Sequence, residues 1–213
     1  MSTIKVDTIK DETGAKTLVT QSGSNFAWGS GLPSGSIVQV QHTQFSNLVY
    51  EDSISANTQY VLQGNNGSAT SGGGESGILD VNITPKITGS TIWLQCHWAG
   101  ELYEQQPYNF VFFFWRSVGS THTALNNSSG TNVGDRGITV PTISHQTDAG
   151  TTPEVANWQY FDTHGQSAGQ QITYKVGYAN DSGGSVTKVY TNRTVATGSE
   201  TLISSLVAIE LAP

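Results

Sequence analysis

The segment NFVFFFWR, residues 109–116, constrains the fold of this chain more than any other stretch. Successive side chains on an extended strand point to opposite faces, so Phe110, Phe112 and Phe114 look one way and Val111, Phe113 and Trp115 the other. Both faces are apolar. A strand with one wet face would alternate apolar and polar residues, so each side of this one needs an apolar cover. One cover is the facing layer of a β-rich core. The other comes either from the chain's own loops or from a second copy of the chain, because a monomer that exposed such a surface would tend to associate. These six residues are therefore candidate subunit-interface positions.

Other short β runs recur along the chain: SIVQVQHT, GILDVNIT, TIWLQCHW, ANWQYFDT, QITYKVGYA, SVTKVYTNR and TLISSLVAIELA. Turn-like connections separate them: GNNGSATSGGGESG at 64–77, NNSSGTNVGDRG at 126–137 and NDSGGS at 180–185, the last a hairpin candidate. No sustained 3.6-residue period occurs, so helices should be minor. Such spacing predicts an all-β chain with an antiparallel, jelly-roll-like β-sandwich as its head, at residues 36–213. Cys96, the single cysteine, lies on one strand face with Ile92, Leu94 and Trp98, which predicts a buried, inert thiol.

Residues 1–35 differ in texture. Ile4 and Val6 alternate with Lys5 and Asp7, a turn follows at Asp11–Gly14, and Ala15–Thr20 is extended again. Gly and Ser then surround Phe26 and Trp28. There is too little apolar content for a private core, so Ile4, Val6, Ile9, Leu18, Val19, Phe26 and Trp28 read as the contact residues of an attachment arm that completes its pairing elsewhere. Fully extended, an arm of this length spans up to roughly 115 Å.

Charge narrows the partners. Only 12% of the residues are charged, the net charge is −7, and the nine Lys and Arg are scattered. That pattern argues against a phosphate-backbone binder, so no nucleic-acid partner is expected. The first residues lack the basic start and apolar run of a signal peptide, and no apolar run reaches the length needed to span a bilayer, about 20 residues. Synthesis and release in a cytoplasm, without membrane insertion, are expected.

The usual catalytic signals fail one by one. Gly72–Gly77 matches G-x-G-x-x-G in letters, but the ILDVNIT that follows is strand-like where a dinucleotide site needs a helix. There is no nucleophile elbow, no phosphate loop and no metal-ligating spacing among the five histidines, so neither metal nor cofactor is expected. Asp162 and His164 sit two apart on one predicted strand face, a spacing that usually means a surface hydrogen bond. Glu101 and Glu104, flanking Tyr103 in a predicted loop, could serve as a glycosidase pair only across a defined cleft. The expected outcome is a protein that is not an enzyme. Sugar binding remains, because aromatic rings and polar side chains adjoin one another at Glu101, Tyr103 and Tyr108, and again at Trp158, Tyr160 and His164.

Several stretches carry a resemblance. STIKVDTIKDETGAKTLVTQSGS, LPSGSIVQV, VNITPKITGSTIWL, ITYKVGYANDSGG and LISSLVAIELAP resemble virion structural proteins of tailed phages, particularly tail-fibre and fibre-like proteins of marine cyanobacterial phages. The resemblance implies an N-terminal segment that joins other virion proteins of the capsid or tail, a β-rich C-terminal head, and assembly as a homotrimer. It also implies location in the virion after assembly in the host bacterial cytoplasm. No repetitive shaft separates arm from head, which fits a short spike, a fibre tip or a capsid-surface decoration better than a far-reaching fibre. The expected function is a non-enzymatic structural component of that kind; the alternative is a head that binds carbohydrate on the host surface.

Overall fold

The structure, a computed structural model, describes residues 8–10, 13–14, 17–22, 25–28, 31–103, 110–125, 150, 152–180, 186–196 and 200–213. Within them the chain is all-β. Its strands are β1 (Thr8–Lys10), β2 (Thr17–Ser22), β3 (Asn25–Trp28), β4 (Ile37–Phe45), β5 (Val49–Asp52), β6 (Thr58–Val61), β7 (Gly67–Ser68) and β8 (Asp80–Ile83). They continue with β9 (Thr91–Tyr103), β10 (Phe110–Val118), β11 (Thr121–Leu125), β12 (Glu154–Asp162), β13 (Ile172–Asn180), β14 (Lys188–Thr191) and β15 (Ser204–Leu211).

Two curled, open half-barrel sheets make up the main body. A seven-stranded sheet runs β4-β15-β9-β14-β5-β7, and β12 pairs with β9 on the side away from β15. A five-stranded sheet runs β11-β10-β13-β6, with β8 also on β13. Every pairing is antiparallel except the short β5–β7 contact. Long β9 is the spine: its first half pairs with β15 and its last residues with β14.

One apolar core lies between the sheets. Leu94, Cys96 and Trp98 of β9 meet Phe110, Phe112 and Phe114 of β10, with the Trp98 and Phe112 ring centroids 4.8 Å apart. The parity expected for these strands is therefore the one that forms the core, and Cys96 is buried, with its thiol pKa pushed up by burial. Polar ties also cross the core. Tyr178 Oη donates to Glu51 Oε2 at 2.8 Å, and Tyr174 Oη donates to Asp162 Oδ2 at 2.7 Å.

The second face of β10 is also covered within the single chain. Val111, Phe113 and Trp115 form a smaller cluster with Val61 and Ala179, and Phe113 is fully buried. Part of the cover is the glycine-rich loop. A Cβ on Gly73 would sit 2.5 Å from the Trp115 ring, so only glycine lets that backbone lie flat on the indole. Lys175 clamps the loop by donating from Nζ to the carbonyls of Gly73 and Glu75. On β13, Gly177 leaves the space that the Phe113 and Trp115 rings fill. Between the two covers open at the sequence level, the chain's own loop thus supplies one, and the six residues of this strand lie inside the subunit.

Some expectations change. The strands on either side of residues 180–185 do not pair as the expected hairpin would require: β13 belongs to the five-stranded sheet and β14 to the seven-stranded one; residues 181–185 lie outside the described residues. Residues 126–137 lie outside them as well.

Toward the N-terminus, β1, β2 and β3 form a three-stranded sheet of their own. Ile9 is exposed and Leu18 and Val19 are half-buried. Ile4 and Val6, and the side chains of Phe26 and Trp28, lie outside the described residues. Gly35 and Ser36 are already pinned to the C-terminus: Gly35 N donates to Ala212 O, and Ala212 N donates to Ser36 O, each at 2.9 Å.

Candidate functional site

The outward face of β4, β15, β9 and β12 gathers chemistry that the separate sequence motifs did not. Cross-strand partners share a face, so the register builds three rows. Val40, Ile209, Trp93 and Phe161 make an apolar row; His42, Val207, Gln95 and Gln159 come next; Gln44, Ser205, His97 and Asn157 follow. None of these positions is an Asp, Glu, Lys or Arg.

Between β9 and β12 the rows are organised by side-chain contacts. The rings of Trp93 and Phe161 stack with centroids 5.4 Å apart and planes 11° apart. Phe161 remains 52% exposed, so one ring face lies on the indole while the ring still meets solvent. Trp93 Nε1 donates to Gln159 Oε1 at 3.2 Å, and His97 Nδ1 bonds Asn157 Oδ1 at 2.8 Å. Beside them lies a depression of 450 Å³ lined by Gln95, His97, Asn157, Gln159, Ser205 and Val207, with Cys96 and Trp158 behind. An aromatic platform next to amides, hydroxyl and imidazole can stack an apolar ring face and exchange hydrogen bonds with hydroxyls.

Among the described residues, the sugar-binding candidates expected from sequence do not converge on one site. Glu101 is buried in β9, where Oε2 accepts from Val195 N at 2.6 Å; the loop expected around it is strand. Tyr103 is exposed and edges onto Tyr190. Tyr108, like Glu104, lies outside the described residues. Trp158 turns inward, stacked on Phe112 and Phe114 at 5.2 and 5.4 Å, and Tyr160 packs against the same core. His164 is buried with its pKa lowered by burial, and its Nδ1 accepts from Gln166 N at 2.9 Å. Nor do Asp162 and His164 form a surface pair: Asp162 is buried and bound by Arg116 at 2.7 Å and by Tyr174.

The difference is one of parity. On β12 the outward residues are Asn157, Gln159 and Phe161, one position off the expected Trp158 and Tyr160. The alternation of Trp93, Gln95 and His97 in TIWLQCHW against the apolar Ile92, Leu94, Cys96 and Trp98 was the available signal for the companion strand.

The buried carboxylates serve the scaffold. Glu154 Oε2 accepts from Leu102 N at 2.9 Å, and burial, reinforced by the nearby Glu101 charge against that bond, raises its pKa to about 7. Burial raises Glu51 to about 7 as well, despite bonds from Gly64 N and Tyr178. Glu210, fully buried, accepts from Lys86 N, Ile87 N and Gln39 Nε2. Among the described residues no cluster of three or more His, Cys, Asp or Glu could hold a metal ion, and no helix is long and apolar enough to cross a membrane. No family model matches the chain, and no curated protein matches it.

Proposed function

We propose that this chain is a non-enzymatic, receptor-binding virion component: an arm joins it to capsid or tail proteins, and its head binds carbohydrate on the host surface. The observation that carries the reading is the stacked Trp93–Phe161 pair beside the uncharged depression of Gln95, His97, Asn157 and Gln159. The phage resemblance of both chain ends supplies the virion setting, together with a jelly-roll-like sandwich as the finer architecture and a homotrimer as the assembly. The separate β1-β2-β3 sheet is consistent with an arm that finds its partner outside the head. Binding without cleavage is supported by the use of Glu101, Glu154 and Asp162 as buried acceptors for backbone and side-chain donors.

The test is adsorption of the purified chain to host cells with intact and with periodate-treated surface glycans. Specific adsorption that periodate abolishes, with no release of reducing ends, is expected. Reducing-end release that Glu101→Gln abolishes would replace this reading with a glycan-cleaving one.

A purely structural appendage is the second reading, favoured by one feature. Ile37 and Val40 are 60% and 49% exposed on the outward side of β4, close to where the arm joins the head at Gly35. Such residues suit contact with a neighbouring subunit. Sedimentation of Val40→Asp as a monomer, with the unaltered protein a trimer, would support it.

A further inference from the structure

We propose that the β9–β12 face selects neutral, linear oligosaccharides and rejects acidic ones; this rests on the carbohydrate reading above and names its ligand class.

The argument starts from which hydrogen-bonding groups are already committed. Gln159 Oε1 is engaged by Trp93 Nε1 and Asn157 Oδ1 by His97 Nδ1, so both amide groups are oriented with their NH₂ donors left for a ligand. Gln95, between these pairs in register, contributes a further amide to the wall of the depression. Neutral donors and acceptors in alternation match sugar hydroxyls, which both donate and accept.

A uronate, sialate or phosphate would instead call for a cation, normally a bidentate Arg or a Lys. Neither a Lys nor an Arg stands in any row of this face, and the chain as a whole carries −7, which repels polyanions. Burying an anion against amides alone would leave its charge poorly compensated.

Register sets the ligand's direction. Residues two apart along a strand are separated by about 6.8 Å, so the aromatic row, the Gln95–Gln159 row and the His97–Asn157 row follow one another along β9 and β12. A chain of pyranose units laid along these strands would stack one unit on Phe161 and bond the following units with the amides and imidazole. Phe161 supplies the ring face and the amide rows supply discrimination.

The experiment measures binding of the full chain to immobilised neutral polymers (glucan, mannan and galactan) and acidic polymers (polygalacturonate, polysialate and a phosphate-linked glycan), at low and high salt. Saturable binding to at least one neutral polymer, insensitive to salt, is expected. Phe161→Ala and Asn157→Ala should each weaken it roughly tenfold, whereas Phe161→Tyr, which keeps the ring, should retain it. Both altered side chains are exposed, and matching circular dichroism spectra would show that the fold survives. Neutral binding that neither alanine variant weakens would overturn the assigned site. Salt-sensitive binding to acidic polymers, weakened by Phe161→Ala, would overturn the ligand class and leave the carbohydrate reading standing. No binding to any polymer would remove both.

Discussion

Tyr178 of β13 and Glu51 of β5 are joined across the core: the phenol donates to Glu51 Oε2 at 2.8 Å while Gly64 N donates to Oε1 at 2.8 Å. The pair ties the five-stranded sheet to the seven-stranded one, and it does so with a carboxyl group that burial holds at about 7.

A pH dependence follows from that carboxyl group. The folded state binds its proton more tightly than the unfolded chain, whose ordinary value is 4.5. The stability contributed by the neutral form is therefore complete below pH 4.5 and is lost as the pH rises to about 7. For one carboxyl moved that far, the loss is about 3 kcal/mol, and Glu154 acts in the same direction over the same window. Urea midpoints should fall between pH 5 and pH 8, and Glu51→Gln should flatten its share of the fall. A wild-type midpoint that drops no more steeply than that of Glu51→Gln would show that Glu51 is not buried as described.

The Gly177 backbone makes room for two rings. A Cβ there would lie 2.7 Å from Trp115 and 2.8 Å from Phe113, and β13 is held on both edges, so Gly177→Ala should cost about 2–3 kcal/mol. Gly73→Ala meets the Trp115 ring and His122 from a loop held by Lys175 and not by strand pairing on both edges, and should cost less. Chemical denaturation of both variants decides the order; equal costs would mean that the loop is as immovable as the strand.

Phe113→Asp tests which surface this residue occupies. Phe113 is fully buried within the single chain, so a charge there should prevent folding instead of merely separating subunits. A folded, monomeric Phe113→Asp protein would place the residue at a subunit contact.

Asn192 is a buried junction with φ of 62°. Its Nδ2 donates to Phe45 O at 2.8 Å and Asn47 O at 3.2 Å, and its Oδ1 accepts from Ser204 Oγ at 2.7 Å. Asn192→Ala loses these bonds and strains the backbone, with an expected cost of about 3–4 kcal/mol. Asn192→Gly loses the bonds only and should be the milder variant by about 1 kcal/mol. Equal losses in thermal unfolding would mean that the left-handed backbone contributes nothing.

Deletion of residues 1–30 should leave the head folded, because the head's backbone pairing begins at Gly35 and Ser36 with Ala212. On the proposed virion reading, incorporation into particles should fall sharply. Circular dichroism together with virion incorporation distinguishes the outcomes: normal incorporation would move attachment to the head, and a collapsed head would make the arm part of the core.

Local pattern determined that this chain is all-β, that NFVFFFWR needs apolar cover on both faces, and that Cys96 points into a core with Leu94 and Trp98. Alternation of side chains along a strand follows from backbone geometry alone, so those conclusions need no partner strand. Tertiary structure decided what covers each face and which strands meet. The Gly73 loop reaches Trp115 from about forty residues away in sequence, a contact that short-range pattern does not encode. On β12 both parities carry aromatic rings, Trp158 and Tyr160 on one and Phe161 on the other. Which parity faces solvent depends on the β9 register, where Trp158 opposes the buried Cys96 and Phe161 opposes Trp93. The candidate site therefore exists only once long-range pairing has set Trp93, Gln95 and His97 beside Phe161, Gln159 and Asn157. A shift of a single residue would have turned that face into the core.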